Sequence, residues 1–146
     1  MLRKPTKLPH GFTLIEIMIV VAIIALLAAI AVPNFLRARK RSQATRVLED
    51  LRIIDSAIDQ YAIENNKSGG DTVNWTDIQK YLKQGSVLYN ANGKDMFGNQ
   101  FVGNQNGVLV VSGFYVDGAP NVYLHNASFN KLSDVAPSDF WSPFYP

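Results

Sequence analysis

The chain contains no cysteine, so no disulfide can brace it and no thiolate can act as nucleophile or metal ligand. Histidine is almost missing too: His10 and His125 are the only two, and no His/Cys/carboxylate grouping has metal-ligand spacing. Ser, Asp and His occur without the spacing of a nucleophile elbow or a triad, and there is no phosphate-binding glycine loop. These absences remove the common routes to catalysis, and the chain reads as a non-enzyme. No internal repeat is present. The missing cysteines do not locate the chain, because secreted proteins can also lack them.

A length of 146 residues predicts one small domain plus an apolar segment. With the hydrophobic helix and its extension set aside, only about 80 residues remain for a folded head, which is marginal without outside support. Disulfides being excluded, that support has to come from the long helix, a bound ion or neighbouring subunits. The basic pI of 8.9 comes partly from the first few residues. Removing Arg3, Lys4 and Lys7 from the fourteen basic residues leaves eleven against twelve acidic ones, so a nucleic-acid reading based on charge loses its footing.

What is present is a long apolar run over residues 12–36 that carries a single carboxylate, Glu16. The run is long enough to cross a bilayer. A charge kept inside such a helix is functional by default, because an isolated carboxylate is strongly disfavoured in hydrocarbon. The plainer alternative is that Glu16 lies near the headgroups and snorkels. Upstream stand Gly11 and a short basic leader. An ordinary secretory signal peptide is one reading: a basic start, an apolar region over residues 17–28, and Ala29-Ile30-Ala31 as the cleavage site, releasing a soluble binding protein that begins at Val32. Against it, Glu16 interrupts the apolar region near its start, and the helical pattern continues past Ala31.

The segment Gly11-Phe12-Thr13-Leu14-Ile15-Glu16, with about twenty apolar residues after it and Pro33 near their end, resembles the N-terminus of type IV prepilins and type II secretion pseudopilins. The resemblance implies that a prepilin peptidase cuts between Gly11 and Phe12, that Phe12 becomes the N-methylated terminus, and that the apolar helix stays on the mature protein. Glu16 is then the fifth mature residue and Pro33 the twenty-second, both as in the family. The cut frees an amino group at Phe12, positive near neutral pH. Glu16 of an incoming subunit can pair with the amino terminus of a neighbour already in the filament, relieving the buried charge and setting the register. Pro33 lacks an N–H and crowds the carbonyl of Ala29, so it either ends the membrane helix or marks a bend or opening in a continuous one.

Beyond Pro33 the sequence turns amphipathic. Ala44, Val47, Leu51, Ile54, Ile58 and Tyr61 recur at spacings of three and four, widened by Leu48 and Ala62, with Arg46, Glu49, Asp50, Arg52, Asp55 and Asp59 mainly off the stripe. One helix over residues 13–64 is predicted, roughly 75–80 Å long at ~1.5 Å per residue. Arg37, Arg39, Lys40 and Arg41 cluster just past the apolar run. Counted alone, they oppose the orientation that the family has, with the leader inside and the head outside. They read as a solvated or headgroup-facing turn, or as partners for acidic residues of adjacent subunits.

Residues 65–70 read as a loop, and residues 74–82 as a short helix started by Asn74 or Thr76 and closed by Gly85, with Ile78, Tyr81 and Leu82 inward. Strand signals follow at Phe101-Val102, residues 108–111, 114–116 and 122–124, with Asn106-Gly107 and Asp117-Gly118 as turns. The predicted fold is α+β and pilin-like: a long N-terminal helix packed against a small antiparallel meander of three or four strands.

Asp95, Gly98 and Asn99 match the Asp-Pro-Trp-Gly-Asn-Pro-Tyr turn of major pseudopilins, with Phe97 and Phe101 as its aromatics and Met96 and Gln100 in place of its prolines. The alternative is an ordinary turn entering a strand. Major pseudopilins commonly bind calcium in the loop after the strands. Oxygen donors are present here at Asp117, Asn121 and Asp134, with Asn126 and Ser128 between them, although the segment departs from the family's calcium loop; turn-making and capping are the alternative roles. The aromatic tail over residues 139–146 reads as a cover for the small core.

The resulting expectation has three parts: a leader over residues 1–11, a transmembrane and polymerisation helix over 12–36, and a periplasmic head over 37–146 that includes the rest of the spine. The implied function is a structural subunit of a type II secretion pseudopilus, anchored in the inner membrane. Its implied partners are further copies of itself, minor pilins, the assembly platform and the prepilin peptidase. A type IV pilus or DNA-uptake pilin is the alternative within the class. No cofactor is required, calcium is the one candidate metal, and no nucleic acid is involved.

Overall fold

Helix α1 (Leu14–Glu64) accounts for 51 residues and contains Pro33 in its interior. The structure, a computed structural model, describes residues 11–103, 109–110 and 120–145. The chain divides into two units, residues 1–38 and 39–146, with the boundary inside α1. In the first unit the helix passes through Pro33 without ending, so of the two sequence readings of that proline the terminating one is set aside. One missing N–H costs a helix a single bond, which flanking apolar residues of good helix propensity can absorb. Every large apolar side chain from Phe12 to Leu36 is exposed. Among the described residues α1 is the one helix long and apolar enough to cross a membrane.

The second unit is built on the amphipathic half of α1. Ala44, Val47, Leu48, Leu51, Ile54, Ala57 and Ile58 are buried, and Tyr61 and Ala62 are half-buried at the end of the same stripe. This is the periodicity of the sequence made physical, with Ala57 added. Packed in the same core are Val73, Ile78, Leu82, Leu88, Phe101, Val122, Leu124, Leu132 and Trp141.

The sheet is smaller than the sequence suggests. Strand β1 (Thr72–Val73) pairs antiparallel with β2 (Leu109–Val110), Thr72 opposite Val110 and Val73 opposite Leu109. Beyond that ladder the described residues show single bridges, Lys94 with Gln100 and Val102 with Tyr123. The expected three- or four-stranded meander is therefore not what the described residues form. Phe101 gives its N–H to Gly93 O at 2.9 Å, which folds residues 93–101 back on themselves, and Leu124 gives its N–H to Phe144 O at 2.8 Å, a tail residue rather than a strand. The predicted strand at 114–116 and the turns at Asn106-Gly107 and Asp117-Gly118 lie outside the described residues.

Short capped helices take up much of the remaining backbone. Helix α2 (Trp75–Gln79) begins where predicted, with the Asp77 carboxylate accepting from the Asn74 N–H at 3.1 Å. The helices α3 (Val87–Asn90), α4 (Asn126–Leu132) and α5 (Ser138–Trp141) have no counterpart in the sequence expectation. Ser86 Oγ accepts from the Tyr89 N–H at 3.1 Å, and His125 Nδ1 accepts from the Ala127 N–H at 3.1 Å, so the isolated histidine is a helix cap. Gly85, with φ +75°, makes the turn between α2 and α3. The aromatic tail covers the core as expected: Trp141 is fully buried with its indole N–H donating to Ala136 O at 3.0 Å, and Phe144 is buried beside it.

This packing predicts an asymmetry along α1. Leu51→Ala, at a fully buried position, should lower head stability by about 2–5 kcal/mol. Ile53→Ala, two residues away but 42% exposed, should change it by no more than about 0.5 kcal/mol. Urea titrations of the full chain in detergent, read by tryptophan fluorescence, measure both. Equal losses would show that α1 is not the floor of the core.

Candidate processing and assembly site

The N-terminal residues sit in open surroundings. A Cβ placed on Gly11 would meet nothing within 4 Å, and Phe12 is 85% exposed. Thr13 then starts α1. Its N–H and its hydroxyl both donate to Glu16 Oε2 at 2.7 Å, and the Glu16 N–H returns a bond to Thr13 Oγ1 at 3.3 Å. That reciprocal pattern is a capping box, which satisfies donors that a helix start leaves orphaned. Thr13 thus gives the carboxylate hydrogen-bond donors within its own chain but no counter-charge. The Thr-x-x-Glu spacing is the local sequence signal that marks this bond. Both described bonds fall on Oε2, so Oε1 retains its capacity to accept from a further donor. Because Thr13 lies after Gly11, a cut between Gly11 and Phe12 leaves the box intact.

Further along, Arg37, Arg39 and Arg41 are exposed. Lys40 instead forms an ion pair with Asp134 at 2.7 Å, with both side chains half-exposed. One member of the basic cluster is thus paired within the chain, while the three arginines are exposed, as the reading of a solvated or headgroup-facing turn has them.

The turn motif is assembled around Asp95. Its Oδ1 accepts from the N–H groups of Phe97 at 2.8 Å and Asn99 at 3.0 Å, and its own N–H donates to Asn99 O at 2.8 Å. Gly98, at φ +84°, occupies the left-handed position that closes the turn. The second carboxylate oxygen accepts from Ser128 Oγ on α4, and Asn99 Nδ2 donates to the same hydroxyl at 2.8 Å. Asp95 and Ser128 are both buried. The motif therefore does more than turn the chain: it fastens α4, 33 residues downstream, to the loop. Lys131 places its Nζ 5.0 Å from the centre of the Phe97 ring on the same side.

Several of the residues expected to suit calcium make bonds within the chain. Asn121 is buried and donates its backbone N–H to Asp55 Oδ1 at 2.7 Å; its side-chain amide donates to Asp55 Oδ1 at 3.0 Å and to Asp59 Oδ1 at 2.6 Å. Asp134 holds Lys40, Ser128 holds Asp95, and Asp117 lies outside the described residues. Asn126 opens α4. Among the described residues no group of three or more His, Cys, Asp or Glu side chains forms a metal cage. The Asp55–Asn121–Asp59 bridge, one helical turn of α1 holding the chain's return, has no local signal in the sequence. Burial pushes the Asp55 carboxyl above the ordinary aspartate range, with the Asn121 bonds pulling it back. Asp59 is raised in the same way, by burial first, against its bond from Asn121, and then by the charge of Asp55.

Comparison with known proteins joins these features. The prokaryotic N-terminal methylation motif matches residues 7–32. The type IV major fimbrial protein FimA of Dichelobacter nodosus is 44% identical over 70 residues, 48% of this chain and 45% of that protein. The type II secretion system core protein G of Pectobacterium carotovorum subsp. carotovorum is 37% identical over 58 residues, 40% of this chain and 37% of that one. The type IV wide pilus major component PilA4 of Thermus thermophilus is 52% identical over 56 residues, 38% of this chain and 43% of that one. The chain thus spans less than half the length of each of these relatives in the match. No solved structure matches. An N-terminal methylation motif leading into a long apolar helix, followed by a small α+β head, makes the chain similar to type IV pilin-like proteins. The chain is homologous, over part of its length, both to type IV major pilins and to type II secretion core protein G.

Two measurements check the head. Asp95→Ala leaves the buried hydroxyl of Ser128 and the part-buried N–H groups of Phe97 and Asn99 without their acceptor, and should cost about 1–3 kcal/mol for each one that finds no water. Asp95→Asn, which keeps an acceptor, should cost less; equal losses would show that the carboxylate's bonds are not what fastens α4. The Asp55/Asp59 pair predicts a pH effect of definite sign. Both carboxyls bind protons more tightly folded than unfolded, so lowering the pH from neutrality through their folded pKa values adds stability that is absent at higher pH. Asp59→Asn should raise stability at neutral pH and shrink this gain. An identical pH profile in wild type and Asp59→Asn would contradict the assignment.

Proposed function

We propose that this chain is a structural subunit of a helical filament rather than an enzyme. It would be cut between Gly11 and Phe12 by a prepilin peptidase, methylated at Phe12, held in the inner membrane by residues 12–36 with its head in the periplasm, and polymerised through the apolar half of α1. The observation that carries this reading is an exposed apolar helix that begins, directly after Phe12, with the Thr13–Glu16 box. Such a surface has to be covered, by lipid before assembly and by the same helices of neighbouring subunits afterwards. The Glu16 carboxylate, oriented by Thr13 and with Oε1 in reserve, is placed to meet the positive amino terminus of a neighbour. Minor pilins and an inner-membrane assembly platform are the further partners this reading needs, and no cofactor is required.

Two kinds of filament fit. The Asp95–Gly98–Asn99 turn supports a type II secretion pseudopilus, as does the likeness to core protein G. The likeness to the fimbrial protein and to the wide-pilus component supports a type IV pilus instead. Deleting the gene separates them by what is lost: secreted proteins in the first case, surface filaments in the second.

N-terminal mass spectrometry of membrane fractions should find methylated Phe12; a terminus at Val32 would replace this reading with a secreted soluble protein. Substitution of Glu16 divides its two roles. Glu16→Gln keeps an acceptor for the Thr13 N–H but no charge, whereas Glu16→Leu loses both. Both variants should be cut and inserted, and neither should polymerise. Normal filaments from Glu16→Gln would show that the side chain only caps its helix.

A further inference from the structure

The turn of α1 from Arg37 to Arg41 carries four cationic side chains and no acidic one. It stands directly after the apolar run over residues 12–36, whose length of about 37 Å at ~1.5 Å per residue spans a hydrocarbon core of about 30 Å and reaches the headgroups. At about 100° per residue, Arg39 points roughly opposite Arg37, Lys40 about a quarter-turn further on, and Arg41 returns close to Arg37. Arg37 and Arg41 therefore share one side of the helix and Arg39 takes the opposite one, so the arginines are not confined to a single face. Lys40 is turned toward the head by Asp134 at 2.7 Å, while Arg37, Arg39 and Arg41 are exposed. No carboxylate lies three or four residues from any of these three arginines, the nearest acidic residues in α1 being Glu16 and Glu49. The helix itself thus gives them no partner.

From this arrangement we propose that Arg37, Arg39 and Arg41 form a collar that binds the headgroups of anionic phospholipids around the outer end of the membrane helix. A single protein neighbour covers one side of a helix, whereas headgroups enclose it and can meet charges on its opposite sides together. Guanidinium groups suit this task because they grip phosphate oxygens in a planar, two-pronged fashion. The collar also gives a physical reason for three arginines unpaired within α1 on the side of the membrane that the positive-inside tendency would leave less basic: the lipid supplies the counter-charge. The inference rests on the membrane-spanning reading of α1.

The test uses the full chain in vesicles of phosphatidylcholine and phosphatidylglycerol, with spin-labelled versions of each lipid and electron paramagnetic resonance to measure the motionally restricted, protein-bound fraction. Labelled phosphatidylglycerol should associate about threefold or more better than labelled phosphatidylcholine at low salt, and the preference should shrink toward unity in molar salt. The triple variant Arg37→Gln/Arg39→Gln/Arg41→Gln should lose the preference at low salt. The variant Arg3→Gln/Lys4→Gln/Lys7→Gln, which neutralises the leader, should keep it. Equal association of the two lipids with the wild-type chain overturns the collar while leaving the membrane reading in place. So does a preference that survives in the arginine variant, or one that disappears only with the leader charges. A spectrum with no restricted fraction for either lipid overturns the collar together with the membrane reading.

Discussion

Burial of one stripe of α1 is the constraint on which the head depends. Val47, Leu51, Ile54 and Ile58 are fully buried, and side chains of this kind contribute about 1.5–3 kcal/mol each. Four of them amount to much of the ~5–15 kcal/mol that a small domain has in total. Everything packed with them is short: a ladder of two-residue strands and helices of four to seven residues. Elements of that length do not hold together in water by themselves, since helix nucleation is costly and an isolated hairpin is marginal at best. A chain without cysteine has no covalent substitute. The helix that would anchor the subunit therefore also supplies one wall of its core.

Polar fastenings complete what the stripe begins. Asp95 draws Phe97, Asn99 and the α4 hydroxyl of Ser128 onto one carboxylate, and Asn121 bridges Asp55 and Asp59 on α1. The Asp95–Ser128 bond and the Asn121 bridge join segments far apart in sequence, and each uses a side chain that loses its value if its partner goes. The apolar half of α1 has no such ties among the described residues beyond its own first turn. The two halves of one helix thus differ in what covers them: residues of the same chain bury one, while the apolar side chains of the other stay exposed within the chain.

How much of this is legible in the sequence follows from the range of the interactions. The α1 stripe can be read because helical periodicity is local and repeats over five turns. Asn74 can be read as a cap because its partner, Asp77, lies three residues away. The runs Phe101-Val102 and 122–124 do meet, through the Val102–Tyr123 bridge, but the neighbouring Phe101 and Leu124 bond Gly93 and Phe144, long-range or irregular partners that no local pattern announces. Ser128 offers an oxygen that suits a metal, but the carboxylate that claims it lies 33 residues upstream. The Thr13–Glu16 box is written in a spacing of three residues. A carboxylate in an apolar run also calls for an intermolecular partner, however, and that long-range demand masks the simpler bond within the first turn.

The most direct measurement concerns the floor of the core. A fragment comprising residues 65–146 keeps every element of the head except α1, and its thermal unfolding can be followed by circular dichroism and calorimetry. Dependence on the α1 stripe predicts no cooperative transition and no fixed tertiary signal from Trp75 and Trp141. A fragment that folds and melts cooperatively would show that the head stands without the helix, and would contradict the dependence of the core on α1.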